Sequence, residues 1–192
     1  YVADDTTLQH KVLNKSKGRA VWSPRSQVDK VKYTKKAQKL IKDAKKITVV
    51  EDEVINFNVK NNKVDSVLLK NKGILECSAL IVTCGTFMSG LIHIGNKSFK
   101  GGRMGEKRSY GLTEALVDYG FSIKRLKTGT PPRAYTNSIN WEQLEVADGD
   151  LNPQPFSMLT PTPFKPKNIP CYLAYTTKKT HDIIKKNINS SA

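Results

Sequence analysis

The residues best placed to do chemistry cluster around glycines. An apolar run, Ala79-Leu80-Ile81-Val82, leads through Thr83-Cys84 into Gly85-Thr86. Such a run fits a strand buried on both faces. A glycine at its end lets a ligand approach the main chain, because no Cβ intervenes. Strand ends of open α/β sheets are where dinucleotides bind, so this stretch is expected to line a cofactor site. Neither the G-x-G-x-x-G nor the Walker spacing accompanies it. A second glycine group, Lys100-Gly101-Gly102-Arg103-Met104-Gly105, precedes Lys107-Arg108-Ser109. Consecutive backbone N–H groups beside guanidinium groups attract phosphate. This loop, with Arg103 in it, is the sequence's best anion-site candidate; a charged surface turn is the alternative.

Two further cationic stretches stand near the start. Asn14-Lys15-Ser16-Lys17-Gly18-Arg19 could bring Lys17 to an anionic ring or phosphate, or could be a solvated connection. Arg25 and Gln27 follow Ser23-Pro24, a hydroxyl cap and first-turn proline that predict a helix start. His10, His93 and His181 have no metal-ligand spacing. Trp22 and Trp141 suit packing as well as base stacking. No side chain declares itself a catalytic acid, base or nucleophile.

The elements that must position these groups read as mixed α/β. Helical spacing of Val28, Val31, Ala37, Leu40, Ile41 and Ala44 predicts an amphipathic helix. Its other face carries Lys30, Lys32, Lys35, Lys36, Lys39, Lys42, Lys45 and Lys46. Ile47–Val50 is a short β-branched run. Residues 53–60 and 63–70 flank Asn61-Asn62, which suits a tight hairpin. Asn71-Lys72-Gly73 turns the chain into 74–77, giving a β-meander before the apolar strand to Cys84. Residues 87–108 read as a long loop with a short extended piece at 92–95. Ser109 is expected to cap a short helix ending at Tyr119, with Gly120 as its stop. A strand at 121–126, a rigid turn at 128–133 and a last helix from Thr177 or Thr180 complete the reading. Prolines concentrate at 152–168, so a second, irregular domain is expected after Tyr135.

The formal charge is +15 over 192 residues. Either lysine covers solvated faces or the partner is a polyanion. Cys77, Cys84 and Cys171 are too few for a disulfide framework or zinc site. Cys77 and Cys84 read as buried thiols, and the setting as reducing and cytoplasmic. No apolar stretch approaches membrane-spanning length, so no membrane partner is expected. The chain opens without methionine and closes just after a helix, which reads as a segment of a longer protein.

Taken together, the motifs resemble one family. Leu13–Trp22, Pro24–Asp29, Val82–Gly95, Gly101–Arg103, Arg125–Arg133, Pro170–Tyr172 and Lys179–Ile184 are collinear with signatures of the MnmG (GidA) family. Those enzymes are FAD-dependent and modify the tRNA wobble uridine with a carboxymethylaminomethyl group at C5. The resemblance implies an α/β fold: a partial FAD-binding, Rossmann-like domain of the glutathione-reductase type, with a β-meander, over 1–134. The start of an insertion or substrate domain would follow over 135–192. It also implies site residues. Val54 would hold the adenine end of FAD through its backbone, Ser109 would add a contact, and Gly85 and Thr86 would pass the cofactor. Lys17, Arg25 and Gln27 would approach the flavin face. Arg103, Lys35 and Lys39 are the candidate tRNA contacts. NADH as reductant, methylenetetrahydrofolate as one-carbon donor, an MnmE-type GTPase partner and a homodimer come with the family.

Arg19 stands where the family usually has proline, and the family's functional cysteines do not fall on Cys77, Cys84 or Cys171. The segment alone is expected to be inactive. Two alternatives are a folate- and FAD-dependent tRNA uridine-5 methyltransferase and a non-catalytic RNA-binding module using the Lys30–Lys46 face.

Overall fold

The structure, a computed structural model, describes residues 1–102, 105–129, 131 and 133–190. Among the described residues, helices α1 (Val2–Asp5), α2 (Lys30–Asp43), α3 (Leu112–Asp118) and α4 (Lys178–Lys186) are interspersed with nine short strands. The strands are β1 (Thr7–Leu13), β2 (Ser23–Val28), β3 (Val54–Lys60), β4 (Lys63–Leu69), β5 (Gly73–Glu76), β6 (Leu91–Ile94), β7 (Lys97–Lys100), β8 (Glu145–Ala147) and β9 (Cys171–Leu173). Among the described residues they form four antiparallel groups: β1-β2, β3-β4-β5, β6-β7 and β8-β9. The mixed α/β reading and the meander hold. The chain forms two compact units, Tyr1–Val49 with Pro132–His181, and Val50–Pro131 with Asp182–Ala192. They interleave along the sequence.

The first unit is organised around buried polar groups: Asp4, Thr6, Thr7, Gln9 and His10. Asp4 is met by the main-chain N–H of Phe156 at 2.9 Å and of Ser157 at 3.0 Å, and by Thr160 Oγ1 at 2.6 Å. Burial pushes its carboxyl up, but these donors outweigh it and hold it below 3.8. The lysine-rich helix begins six residues later than Ser23-Pro24 suggested. Residues 23–28 are instead strand β2, with Pro24 opposite Val12. Asp29 is the cap, its Oδ1 accepting from the N–H of Val31 at 3.0 Å and of Lys32 at 3.1 Å. Pairing with β1 overrides the local signal, and proline is tolerated because a two-strand ribbon is all edge. Residues 47–50 form no strand, and Val49 lies exposed.

The second unit holds the apolar core, Phe57, Val67, Leu69, Leu112 and Ala115. Helix α3 lies on the meander, and Tyr119 stacks on Phe57 with centroids 4.8 Å apart. The β3-β4 turn is as read: Asn61 and Asn62 have φ of 51° and 58°, the conformation a primed hairpin turn demands. Three expectations fail. Residues 79–84 form no strand, and Ile81 is 85 % exposed, because no described strand pairs with this run. Residues 121–126 are likewise outside any ladder. The 87–108 segment contains the hairpin β6-β7 rather than one extended piece.

Candidate functional site

In the first unit, strand register decides which side chains meet. Gln9 lies opposite Gln27, and Lys11 opposite Arg25. Alternation therefore puts Gln9, Arg25 and Gln27 on one face of the β1-β2 ribbon. Arg25 and Gln27 are strand residues, not the helix-start residues the sequence suggested. Arg25 Nη2 donates to Gln9 Oε1 at 3.4 Å. Cys171 Sγ, from β9, donates to Gln27 Oε1 at 3.1 Å. Arg25 Nε is buried with no hydrogen-bond acceptor among the described residues.

Lys17 is exposed on the turn between β1 and β2. Asp150 fixes that turn: its Oδ2 accepts from Val12 N–H at 2.8 Å and its Oδ1 from Lys15 Nζ at 2.7 Å. Burial raises the Asp150 carboxyl, yet the Lys15 ammonium and Val12 N–H hold it below the ordinary value. Trp22 Nε1 donates to the Lys15 carbonyl at 3.2 Å, and Arg19 lies over its ring. Trp141 packs edge-on against Tyr172. Both tryptophans pack against their own unit. His10 is 3 % exposed between Phe156 and Phe164. Among the described residues no His, Cys, Asp and Glu gather in a metal-ligand group.

On α2, Lys35 and Lys39 are exposed one turn apart, and Lys39 pairs with Asp43 at 3.2 Å. Lys36 breaks the supposedly solvated row. It pairs with Asp5 and lies over the Tyr1 ring, so the Asp5 carboxylate raises its pKa.

In the second unit the expected cofactor residues converge. Val54 starts β3, and its neighbours reach the segment after Ser109. Glu53 Oε1 accepts from Tyr110 N–H at 3.3 Å. Gly111 packs on the Ile55 carbonyl, where an added Cβ would lie 2.9 Å from the carbonyl carbon. Ser109 does not cap α3; Gly111 stands at its N-cap, and its N–H donates to Glu114 Oε2 at 3.0 Å. Ser109 instead bridges to Met88, its carbonyl accepting from Ser89 N–H at 3.3 Å. That joins it to the turn following Gly85-Thr86. Ser89, at φ 47°, also accepts Arg125 Nη2 on its carbonyl at 3.0 Å and donates its hydroxyl to Thr113 at 3.0 Å. Neither Glu53 nor Ser89 carried a sequence signal beyond its neighbours.

The glycine loop is used differently from the anion-site reading. Gly101 N–H goes to the Gly90 carbonyl at 3.3 Å and Gly102 N–H to the Glu106 carbonyl at 3.2 Å, so these donors are spent within the chain. Arg103 lies outside the described residues. Gly85 is open: its φ is +66°, and nothing lies within 4 Å of an added Cβ. Thr86 beside it is exposed. Arg108 Nε is buried without an acceptor among the described residues, its guanidinium over the Tyr110 ring at 4.7 Å. The thiols divide: Cys77 packs half-buried on the core, whereas Cys84 is exposed, contrary to its expected burial.

The family described as Glucose inhibited division protein A matches residues 1–192. The chain belongs to the GidA family. A tRNA uridine 5-carboxymethylaminomethyl modification enzyme MnmG from a Sulfurihydrogenibium species is 48 % identical over 98 % of the chain and 32 % of its own length. The enzyme of that name from Mycoplasma mobile is 41 % identical over the whole chain and 31 % of its own length. The structure of Aquifex aeolicus GidA in its form I crystal matches with a TM-score of 0.85 at 40 % identity, over 98 % of this chain and 32 % of that one. The chain thus spans about a third of the GidA relatives it matches. No helix among its described residues is long and apolar enough to cross a membrane.

Proposed function

We propose that this chain is the central part of an FAD-dependent, cytoplasmic enzyme that modifies C5 of the tRNA wobble uridine. The observation that carries the reading is the convergence of Val54, Ser109 and the Gly85-Thr86 turn in one unit. Glu53 and Gly111 hold the first two together, and the Ser109–Met88 bridge brings in the third. FAD, when bound, supplies the redox chemistry of the group transfer. The residues of this chain bind and orient. The Val54 main chain would meet the adenosine end. Ser109 would add a polar contact, and Gly85 would let the cofactor pass the backbone. Arg25, Gln27 and Lys17 would face the flavin, with the guanidinium donating to an electron-rich ring edge.

NADH as reductant, methylenetetrahydrofolate as carbon donor, an MnmE-type GTPase partner and a homodimer belong to this reading of the whole protein. Exposed Lys35 and Lys39, with Arg103, would contact the tRNA backbone. The assignment of 1–134 to the cofactor domain and 135–192 to the start of an insertion domain is part of it too.

The test is complementation with the full-length protein in cells lacking the gene, read by mass spectrometry of tRNA nucleosides. Wild type restores the C5-modified uridine. Gly85→Val purifies without flavin and restores none. A full-length protein that folds, takes up no FAD and still binds tRNA would favour the RNA-binding module.

A further inference from the structure

We propose that Gln9 is a positioning residue that sets the direction of the Arg25 guanidinium toward its ligand. Gln9 is 2 % exposed. Both hydrogens of its amide nitrogen are committed, to the Ala147 carbonyl at 2.9 Å and the Ile169 carbonyl at 3.2 Å. That settles which way the amide faces, since only nitrogen can donate to a carbonyl. Oε1 is therefore turned to Arg25 Nη2 at 3.4 Å and to Cys171 Sγ at 3.6 Å. The single thiol proton goes to the nearer acceptor, Gln27 Oε1 at 3.1 Å, which leaves Gln9 Oε1 to Arg25.

The consequence lies in the rest of the guanidinium. One terminal nitrogen is anchored by Gln9, and Nε is buried with no acceptor among the described residues. A buried charged donor without a partner is costly. With one terminal nitrogen held by Gln9, the orientation of the whole planar guanidinium is restricted, and such a plane suits a carbonyl- or anion-bearing edge. Ala147 at the end of β8 and Ile169 just before β9 set the Gln9 amide, so the direction of Arg25 depends on segments far from it in sequence.

The proposal rests on the reading that Arg25 faces the flavin, and its test separates the two. In the full-length protein, the FAD dissociation constant is measured for wild type, Gln9→Met, Arg25→Met and the double variant, alongside thermal melting of the apoprotein. Gln9→Met is expected to weaken FAD about fivefold or more with Arg25 present, and less than about twofold with Met at 25. The change in melting temperature should be the same in both backgrounds. Equal weakening in both backgrounds would overturn the proposal, because Gln9 would then act on the fold alone. If Arg25→Met leaves FAD affinity unchanged, the flavin-facing reading of Arg25 itself fails. Should Gln9→Met not fold, Gln9→Asn keeps the amide, withdraws it by one methylene and gives the same comparison.

Discussion

Glu53 Oε1 accepts a hydrogen bond from the main-chain N–H of Tyr110 at 3.3 Å, while its Oε2 takes Lys70 Nζ at 2.8 Å. One carboxylate thus ties the start of the meander to the segment that carries Ser109. The Lys70 ammonium is the main cause of its lowered pKa, with the Tyr110 N–H adding to it. Glu53→Ala should leave the meander folded and weaken FAD binding to the full-length protein about two- to fivefold. Fluorescence titration of the apoprotein measures this. Unaltered affinity would show that the tie does not shape the cofactor groove.

Gly111 and Gly85 both have positive φ, at 89° and 66°, but their surroundings differ. A Cβ at Gly111 collides with the Ile55 main chain, whereas one at Gly85 meets nothing within 4 Å. Gly85→Ala should cost about 1 kcal/mol through backbone strain alone, and Gly111→Ala about 3 kcal/mol or more. Urea unfolding of the apoprotein orders the two. Equal losses would mean that strain, not packing, decides at Gly111.

Asp4 makes the first unit sensitive to acid. Its folded pKa lies below 3.8. The stability it contributes is fully present above that value and is lost as pH falls through the folded pKa. Asp4→Asn should remove this acid-dependent step and lower stability on the order of 2 kcal/mol at neutral pH. Melting temperatures measured from pH 7 down to 3 test both. An unchanged acid limb in the variant would assign the transition to other carboxylates.

Lys35 and Lys39 should behave differently from Lys36. Charge reversal at Lys35 or Lys39 should weaken tRNA binding and reduce the salt slope by about one for each phosphate no longer neutralised. Lys36→Glu should instead lower the melting temperature, since Lys36 pairs with Asp5. Filter binding across a salt series, with melting curves, separates these effects. An unaltered slope for the first pair would return that face to solvent.

Local patterns were legible in the sequence wherever the chain answers to its neighbours. Asn61-Asn62 announced the hairpin, and Gly120, at φ 84°, the end of α3. Ser23-Pro24 misled because β1 pairing outweighs a capping signal, leaving Asp29 to start the helix. The run at 79–84 misled because an apolar sequence does not say whether a pairing strand is at hand. The hydrogen bonds that organise the first unit had no local signature. Gln9 and Asp4 are ordinary polar residues until Ala147, Ile169 and Thr160 are beside them.

The same separation has a temporal side. Asp4 and Gln9 leave the ribosome ahead of their partners, which follow 138 to 160 positions later. At typical elongation speeds that interval is roughly 10 to 30 s. Throughout it the β1-β2 ribbon lacks the Ala147 and Ile169 carbonyls, and the Gln9 amide and the Asp4 carboxylate stay hydrated. Nascent-chain proteolysis should find this ribbon cleavable until the segment around Ile169 has emerged, and protected soon afterwards.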